Sequence, residues 1–518
     1  MGRLNLTEEL VDRWVKAGNA DKPCLFEVDK LAESFTAVTY RELCSITCRV
    51  ADFLKDLGIS WFNRVGILLP DSIAWVASFL GSIRIGAVPV VISPLNRPEV
   101  LAYIIKDSRP KALLTDHEAY ERIRSEIRDF KYPKHVILVD ESLSDHPPLN
   151  SIISSSIKSE DYVPPAETQA DDFAFILYTS GSTSLPKGVI HLQHDLIEAA
   201  DSLFKSALGL GSEDRFYSVS KLYFSFGMTN TLSALRLGAS AIVDGERSTP
   251  ERVLKIVSLL EPTAIFAAAT LYARLLDKID ERNLEKIRKI RVMVSGGEHL
   301  PAKVWETWYR KFEKFIIDGI GSTEYLHKVT FNGPSSFKQG SLGKALPGHR
   351  VMVVDEEWNE LPPNKVGRLA VECDACTPLY WHKADVSKKN IRGGWVMLDD
   401  LCYLDDEGFL HHVGRADEMI KQSGMWVSPF EIEDVLMSHP SVLEALVVKA
   451  EDEYGLERVK ALVVLKRGIA PTDDLVRELK EYVKSRLEPY KRPEWIEFVD
   501  ELPSTVTGKR KRIVLRRA

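Results

Sequence analysis

The segment best suited to chemistry is Tyr178–Gly188, which has the sequence YTSGSTSLPKG. It follows the apolar run Phe173–Leu177 and holds five serine or threonine hydroxyls, two glycines and one lysine. Glycine lets backbone N–H groups approach a phosphate, hydroxyls add neutral donors, and the lysine adds a mobile positive charge. The segment therefore predicts a triphosphate-binding loop after a strand, although it lacks the spacing of a Walker A sequence. A flexible surface loop is the alternative, and the Pro-Lys-Gly ending argues against it.

Three further positions carry side chains that suit a nucleotide. Thr323 can donate a hydrogen bond to a phosphate oxygen, and Glu324 offers Mg²⁺ an anionic oxygen beside it. Asp400 can accept hydrogen bonds from both ribose hydroxyls, and Arg415 would add a charged donor nearby. The alternatives are an exposed loop carboxylate for Glu324, a turn aspartate for Asp400 and a surface arginine for Arg415.

A lysine near the C-terminus suits charge stabilisation at a reacting phosphate. Lys509 follows Thr507 and Gly508, and a lysine on a glycine-containing loop can be brought to a site and withdrawn. The segment Lys509–Ala518 contains six Lys or Arg residues, so a solvated tail or a polyanion-binding or nuclear-localisation segment is the alternative.

The elements that must position these residues alternate along the chain. Such alternation predicts mostly parallel sheets covered by helices. We predict strands over Val65–Leu69, Val88–Ile92, Ala112–Thr115, His135–Val139, Phe173–Tyr178 and Ala264–Ala268. We predict helices over Ser72–Ile85, Pro98–Asp107, Pro250–Leu260 and Leu271–Asp277.

Other segments differ from this alternation. Asp145–Ala170 is polar and rich in Pro and Ser, and is predicted to be a surface connection. From Gly348 shorter strands indicate a small β unit. The last hundred or so residues predict a compact α+β unit with a helix over Pro429–Ser438 and another over Asp473–Leu487.

Composition limits the classes of function. The 518 residues should form more than one domain, with 45% hydrophobic and 28% charged residues, as in a soluble enzyme. The net charge of −7 argues against nucleic acid as the main partner. No apolar run is long enough for a membrane span, and the N-terminus lacks a signal-peptide core, so we expect no membrane insertion and a cytoplasmic protein.

The six cysteines indicate a reducing compartment. Cys373 and Cys376 form a Cys-x-x-Cys pair, and Cys44 and Cys48 are one helical turn apart. A zinc site would require both pairs to meet, and buried reduced thiols are the favoured interpretation.

Together these segments resemble the adenylate-forming acyl-CoA synthetase, adenylation-domain and luciferase superfamily along essentially the whole chain. Six motifs occur in that superfamily's order: Tyr178–Gly188, SGGEHLP (Ser295–Pro301), DGIGSTEYLH (Asp318–His327), Asp400, GRADEMIKQSG (Gly414–Gly424) and STVTGKRKR (Ser504–Arg512).

The resemblance implies a role for each matching residue. Lys509, Thr323 and Glu324 would be catalytic, with Glu324 also the Mg²⁺ ligand. Asp417 would be the hinge about which the C-terminal domain rotates between half-reactions. ATP or AMP would contact Thr179, Ser180, Gly181, Ser182, Thr183, Lys187, Gly297, Glu298, Asp318, Gly319, Thr323, Asp400, Arg415 and Lys509. The acid would contact Ser225, Phe226, Gly227, Gly321 and His327, and the CoA arm Ser423 and Gly424.

The segments Lys221–Leu232 and Ser423–Glu433, and the His327 after the Thr-Glu motif, look most like the benzoate-CoA ligase branch. Phe226 offers a flat wall to an aryl ring. His327 can bond the carboxylate or a ring substituent, and a core histidine is its alternative. Ser225 stands where that branch tends to have alanine, which indicates a polar ring substituent or a different acid.

Several residues depart from the superfamily's pattern. Ser184 replaces a usual glycine, Asp399 stands where a glycine precedes the ribose aspartate, and Leu398 replaces a common threonine. An added acid beside Asp400 would increase repulsion near the nucleotide. Arg510-Lys511 after Lys509 is also atypical, and these changes leave room for an unusual substrate or a slow enzyme.

The prediction is an α/β fold with a large N-terminal domain (residues 1–416) and a small hinged α+β C-terminal domain (residues 417–518). The expected reaction joins an aromatic acid to CoA with ATP and Mg²⁺, through an acyl-adenylate. The alternatives are a short-chain or hydroxy-acid ligase, a free-standing adenylation enzyme that loads a carrier protein, and a non-catalytic nucleotide sensor. A monomer and a homodimer are both left open.

Overall fold

A computed structural model describes residues 2–143, 146–155, 162–179, 185–276, 278–422, 425–452 and 456–503. Several residues with predicted roles lie outside the described residues, so those roles stay predictions. They are Ser180, Gly181, Ser182, Thr183, Ser184, Ser423, Gly424 and Lys509 with its basic neighbours Arg510 and Lys511.

Helices occupy much of the described chain. The α-helices are α1 (Arg13–Lys16), α2 (Tyr40–Asp56), α3 (Ile73–Arg84), α4 (Pro98–Ser108), α5 (His117–Ile127), α6 (Leu149–Ser154), α7 (Asp195–Ala199), α8 (Ser225–Arg236), α9 (Pro250–Leu260), α10 (Ala269–Leu275), α11 (Glu281–Lys289), α12 (Ala302–Phe312), α13 (Ala384–Asn390), α14 (Pro429–Ser438) and α15 (Asp473–Lys484). Wider π-type turns cover Glu8–Asp12 and Ala200–Ala207, and 3₁₀ turns cover Thr323–Tyr325 and Pro489–Lys491.

The strands fall into two groups along the chain. The first group is β1 (Pro23–Val28), β2 (Phe35–Thr39), β3 (Arg64–Leu68), β4 (Val88–Val91), β5 (Ala112–Thr115), β6 (His135–Leu138), β7 (Phe173–Tyr178), β8 (Gly188–Leu192), β9 (Arg215–Ser218), β10 (Ser240–Val243), β11 (Ala264–Ala267), β12 (Val292–Ser295) and β13 (Ile316–Ile317). The second group is β14 (Thr330–Phe331), β15 (Lys344–Ala345), β16 (Arg350–Val354), β17 (Gly367–Glu372), β18 (Ile391–Arg392), β19 (Trp395–Leu404), β20 (Leu410–Arg415), β21 (Ile420–Gln422), β22 (Met425–Val427), β23 (Val442–Glu451), β24 (Glu457–Leu465) and β25 (Trp495–Phe498).

Two large sheets form the N-terminal part of the described structure. One has the strand order β6-β5-β3-β4-β7-β8 and is parallel except for the pair β7–β8. The other has the order β13-β12-β11-β9-β10-β1-β2 and is parallel except for β1–β2. Loops that follow parallel strands collect at one edge of each sheet, which is where functional loops are positioned in such folds.

The largest hydrophobic core contains residues from both sheets and from α2, α3 and α8. Every residue of α3 is buried, including Arg84, because this helix is covered on all sides. Arg84 is neutralised by an ion pair with Asp12 and donates to the carbonyl oxygen of Val163 at 2.7 Å. The helix begins where the Ser72 hydroxyl accepts a hydrogen bond from the N–H of Trp75.

The remaining strands form smaller units. An antiparallel sheet contains β16-β17-β19-β18, with β20 paired to β19. Residues from 420 onward form a separate hydrophobic core in which β23, β24 and α14 pack together. These features confirm the predicted fold class of helix-covered parallel sheets, a small β unit and a C-terminal α+β unit, whereas the boundary at residue 417 stays a prediction.

One helix was not predicted from the sequence. Within Asp145–Ala170, which we predicted as a surface connection, residues Leu149–Ser154 form the helix α6. Leu149 is fully buried and packs into the main core, so this turn of helix is held by a few apolar side chains in an otherwise polar segment. No helix in the part of the chain that the structure describes is both long and apolar enough to cross a bilayer.

Candidate active site

The ends of the predicted phosphate loop are held together by the antiparallel pair β7–β8. Tyr178 is paired with Gly188, so the chain leaves β7 and returns in β8 at neighbouring positions. The N–H of Thr179 donates to the carbonyl oxygen of Lys187 at 3.0 Å, and the N–H of Lys187 donates to the Thr179 hydroxyl at 3.2 Å. Both ends of the loop are therefore fixed to the edge of a buried sheet.

The Thr-Glu motif forms a short 3₁₀ turn. Glu324 is 9% exposed, and both of its carboxylate oxygens accept hydrogen bonds from hydroxyls. Ser322 donates to Oε2, and the phenol of Tyr380 donates to Oε1 at 3.1 Å. The backbone oxygen of Glu324 accepts from the N–H of Thr377 at 2.7 Å. Two hydroxyls thus hold the carboxylate, and one backbone hydrogen bond holds the residue that carries it.

A buried histidine joins the phosphate-loop strand to the Thr-Glu motif. His191, in β8, donates from Nε2 to the backbone oxygen of Thr323 at 2.8 Å. Its Nδ1 lies 2.8 Å from the Asp195 carboxylate, and both side chains are fully buried. The hydroxyl of Thr323 lies 3.5 Å from that of Ser225, the first residue of α8. The predicted phosphate-binding, magnesium-binding and acid-binding segments are therefore adjacent.

Asp400 and Arg415 face each other across the pair β19–β20. Arg415 Nη1 lies 3.5 Å from the Asp400 carboxylate, and His412 Nε2 lies 3.0 Å from it. Arg415 also contacts the Asp417 carboxylate through Nε at 3.2 Å. The residues predicted for the ribose thus lie beside the predicted hinge residue.

Asp399, which departs from the superfamily's pattern, has a cationic partner of its own. Its carboxylate forms an ion pair with Arg368, which is almost fully buried, and lies 3.9 Å from Arg415. The guanidinium of Arg415 lies 3.9 Å from the Asp399 carboxylate and 3.5 Å from that of Asp400, so both acids share this cation. The expected repulsion between these two acids is offset by Arg368.

The SGGEHLP turn and the segment Asp318–Gly319 border a small cavity, whose lining includes His299, Asp318 and His412. Gly297 has φ +89°, a conformation that favours glycine. Glu298 accepts a hydrogen bond from the N–H of Thr270 at 2.6 Å.

Asp318 has a buried cation beside it. Lys328, which is 3% exposed, has its Nζ 3.3 Å from the Asp318 carboxylate and also donates to the backbone oxygen of Gly319. Burial lowers the pKa of Lys328, while Asp318 raises it. A Cβ on Gly319 would lie 2.0 Å from the backbone oxygen of Thr330, so only glycine fits at this position.

The segment predicted for the acid begins α8. The ring of Phe226 packs so closely on Gly296 that a Cβ there would lie 2.6 Å from it. A Cβ on Gly227 would lie 2.1 Å from the backbone oxygen of Lys221. These contacts place the aromatic ring of Phe226 against the strand end that leads into Gly297 and Glu298.

Beside this segment, His327 belongs to a buried pair of histidines. Its Nε2 lies 3.0 Å from Nε2 of His349 and 3.3 Å from the Ser202 hydroxyl, and its Nδ1 donates to the backbone oxygen of Tyr325 at 2.7 Å. Burial, followed by His349, lowers the pKa of His327 to about 3. The ring is therefore neutral at physiological pH. Gly321 forms a bridge to the neighbouring Lys328.

Five residues that contact the predicted site were not identified from the sequence: His191, Lys328, His349, Tyr380 and His412. They are three histidines, one lysine and one tyrosine, and all five lie outside the six motifs. A histidine followed by an aspartate at i+4 was the one local signal, at His191 and Asp195.

Comparison with known proteins finds similar sequences over the whole chain. The AMP-binding enzyme family matches residues 11–381, and the C-terminal domain of AMP-binding enzymes matches residues 431–509. A benzoate–CoA ligase of Thauera aromatica is 34% identical over 519 residues, covering 100% of this chain and 96% of that protein. A 4-hydroxybenzoate–CoA/benzoate–CoA ligase of Rhodopseudomonas palustris is 33% identical over 99% of this chain and 94% of that protein.

A solved structure is similar over the same length. The anthranilate CoA ligase in complex with anthranoyl-AMP has a TM-score of 0.90 and 31% sequence identity, over 99% of this chain and 96% of that chain. The motif order in the sequence and the full-length structural match therefore agree.

Proposed function

The chain belongs to the AMP-binding enzyme family, and from this premise we propose that it is an ATP-dependent ligase joining an aromatic carboxylic acid to CoA. The acid and ATP give an acyl-adenylate and pyrophosphate. The CoA thiol then attacks the acyl carbonyl, and the aroyl-CoA and AMP are released. The relatives named above are ligases for benzoate, hydroxybenzoate or anthranilate, and they support an aromatic acid.

One observation carries the proposal: His191 and Tyr380 hold two predicted segments, the strand after the phosphate loop and the Thr-Glu motif, in one site. His191 links the strand after the phosphate loop to Thr323, and Tyr380 holds the Glu324 carboxylate. A triphosphate anchored between Thr179 and Lys187 would therefore have its phosphates beside Thr323 and Glu324. Such positioning, together with charge stabilisation, supplies most of the rate in phosphoryl and adenylyl transfer.

The chemistry of Glu324 fits a magnesium ion. Both carboxylate oxygens accept from neutral hydroxyls, and an ionised carboxylate has about four lone-pair sites, so sites for a metal remain. Mg²⁺ bound there would offset the negative charge of the triphosphate. Ser322 and Tyr380 hold the carboxylate in place, and the burial of Glu324 keeps it largely away from water.

Two half-reactions need two arrangements of one lysine. Lys509 would stabilise the charge that develops as the acid attacks the α-phosphorus, and would leave before the CoA thiol enters past Gly424. Asp417, which accepts a hydrogen bond from Arg415, would be the pivot. Because Arg415 also faces Asp400, rotation at the pivot would change the contacts of the predicted ribose site.

An aryl substrate is supported by the walls of the predicted acid site. Phe226 presents an aromatic ring beside Ser225, and His327 is a neutral imidazole with Nε2 near Ser202 and His349. Because its Nδ1 donates to the backbone oxygen of Tyr325, the neutral ring can accept a hydrogen bond at Nε2 but has no proton there to donate. This group would suit a hydroxyl or amino substituent better than a bare methyl group.

Pyrophosphate release tests the proposal directly. Purified protein would be supplied with ATP, Mg²⁺ and, in turn, benzoate, hydroxybenzoates, aminobenzoates and small aliphatic acids, with and without CoA. We expect the highest kcat/KM for an aromatic acid and formation of its CoA thioester. A preference for an aliphatic acid, or adenylation without turnover of free CoA, would replace the proposal by a short-chain ligase or by an enzyme that loads a carrier protein.

A lysine variant provides the control. Lys509→Ala should abolish adenylation of the best acid while leaving thioester formation from a supplied acyl-adenylate. Unchanged adenylation in this variant would contradict the catalytic assignment of Lys509.

A further inference from the structure

Two cysteines outside the proposed reaction lie in one tight turn. Cys373 follows strand β17, and the N–H of Cys376 donates to the carbonyl oxygen of Cys373 at 3.0 Å. The two sulfur atoms are 3.5 Å apart. A β-turn brings the first and fourth Cα atoms within about 7 Å, and disulfides need Cα atoms about 4.4–6.8 Å apart. The backbone of this turn therefore already suits a bond between the two sulfurs.

The two thiols differ in access and in chemistry. Cys373 is 8% exposed, whereas Cys376 is partly exposed and can be reached from solvent. The Cys376 sulfur, followed by burial, raises the pKa of the Cys373 thiol. Because it is partly exposed, Cys376 is the sulfur that a small disulfide in solvent reaches first.

The other cysteine pair lies within a helix and not in a turn. Cys44 and Cys48 are separated by one turn of α2, where Cβ atoms lie about 5–6 Å apart, farther than the roughly 3.5–4.5 Å of a disulfide. They pack in a different cluster from Cys373, so the two pairs do not form a common metal site. Among the described residues, no group of three or more His, Cys, Asp or Glu side chains has metal-binding geometry.

The segment after the turn touches both elements assigned to MgATP. Thr377, directly after Cys376, donates from its N–H to the backbone oxygen of Glu324 at 2.7 Å and from its hydroxyl to the backbone oxygen of Ile190 at 2.7 Å. The phenol of Tyr380 donates to the Glu324 carboxylate. The N–H of Trp381 donates to the backbone oxygen of Gly188 at 2.7 Å. A change in the turn is therefore passed to Glu324 and to the strand that closes the phosphate loop.

We propose that Cys373 and Cys376 are a reversible oxidation site, and that the disulfide between them weakens the use of MgATP. The oxidant is a low-molecular-weight disulfide. The Cys376 thiolate attacks one of its sulfurs, forms a mixed disulfide and releases one small thiol. Cys373 then attacks the Cys376 sulfur and releases the second small thiol, so the two protein protons leave on two thiol products.

Bond formation draws the two sulfurs together and removes both S–H groups, including the one that Cys376 donates to the backbone oxygen of Val371 at 3.6 Å. The turn must adjust, and Thr377 is attached to it directly. A displacement of about 1 Å at a catalytic group can cost about 100-fold in rate. We expect the oxidised protein to show about a tenfold lower kcat/KM for MgATP than the reduced protein, since the change reaches Glu324 through one intervening hydrogen bond.

The test begins with chemistry that needs no turnover. The full-length protein is equilibrated with mixtures of reduced and oxidised glutathione, free thiols are blocked, and peptides are mapped by mass spectrometry. We expect a Cys373–Cys376 link that dithiothreitol removes. Cys373→Ser and Cys376→Ser should form no link, and Cys44→Ser, which changes another partly exposed thiol, should form it like the wild type.

The same samples are then assayed for pyrophosphate release and for MgATP binding by calorimetry. Oxidation should lower kcat/KM and MgATP affinity in the wild type and in Cys44→Ser, and leave both unchanged in Cys376→Ser. Absence of the link, or a link that leaves MgATP affinity unchanged, overturns the inference. The effect on MgATP rests on the proposed function: a reduced protein that binds MgATP but adenylates no acid would refute that function and leave the oxidation site standing.

Discussion

Replacing Tyr380 by phenylalanine isolates the role of one hydroxyl in the site. The Tyr380 phenol donates to Glu324 Oε1 at 3.1 Å, and the side chain is 2% exposed. Burial, followed by the Glu324 carboxylate, raises the pKa of this phenol, so it keeps its proton and acts only as a donor. Tyr380→Phe removes that donor and leaves the aromatic ring and the backbone pairing in place.

The magnitude follows from the charge of the acceptor. A hydrogen bond to a charged group contributes about 1.5–3 kcal/mol, which corresponds to about 10- to 150-fold in rate. Residues that orient a metal ligand typically account for about 10- to 100-fold in affinity or activity. We therefore expect kcat/KM for MgATP to fall about 10- to 100-fold, with a higher Mg²⁺ concentration needed for half-maximal activity and little change in Tm.

The neighbouring Tyr325 provides a matched control. It is fully buried directly after Glu324, and its hydroxyl has no hydrogen-bond partner among the described residues. Tyr325→Phe should therefore change kcat/KM for MgATP by less than about twofold. The reasoning is refuted if Tyr380→Phe behaves like Tyr325→Phe when pyrophosphate release is measured over a range of Mg²⁺ concentrations.

Three other predictions follow from the geometry. Burial lowers the pKa of His299, but Asp434, at 3.0 Å, raises it, and the overall pKa lies above the usual value. The ion pair should therefore stabilise the protein fully below about pH 6.5, and this stabilisation should be lost as the pH rises through the raised pKa. The ion pair contributes about 1 kcal/mol or less. The difference in Tm between wild type and Asp434→Asn should therefore shrink toward pH 9, and a constant difference would contradict this assignment. Gly319→Ala should lower the free energy of unfolding by about 1–3 kcal/mol, because the added Cβ would lie 2.0 Å from a backbone oxygen. Gly211→Ala, whose Cβ would have nothing within 4 Å, should not lower it. Denaturant titration of the two variants measures the difference. With its pKa lowered to about 3 by burial, His327 should show ring NMR shifts that are constant from about pH 5 to about pH 8, and a titration there would disprove its neutral state.

The sequence predicted elements well where burial produced a simple apolar pattern. Strand β5 and helix α9 have the predicted bounds, since an apolar strand and a helix begun by Thr249 and Pro250 are both local signals. Helix α6 was missed because three apolar residues in a Pro- and Ser-rich segment give no helical period. Its stability comes from Leu149 in a core built by distant parts of the chain.

The sequence predicted the motifs of the site but not the residues that hold those motifs in place. Thr323, Glu324 and Asp400 stand in recognisable order along the chain, because the chemistry of each is written in a short segment. Tyr380 and His191 act through contacts with Glu324 and Thr323, at separations of 56 and 132 residues. Only tertiary structure brings such pairs together, so no window of sequence would contain both partners.

The hairpin that closes the phosphate loop separates the part of the chain that forms the sheet from the part that is predicted to bind the nucleotide. Thr179 and Lys187 are bonded to each other through backbone and hydroxyl groups, so the two ends of the loop are joined directly at the sheet. We therefore expect that residues 180–186 can be exchanged for those of homologous proteins while the fold is kept. Ser184, the departure with no structural account, becomes accessible to experiment in this way, because loop chimeras would report its effect on nucleotide use alone.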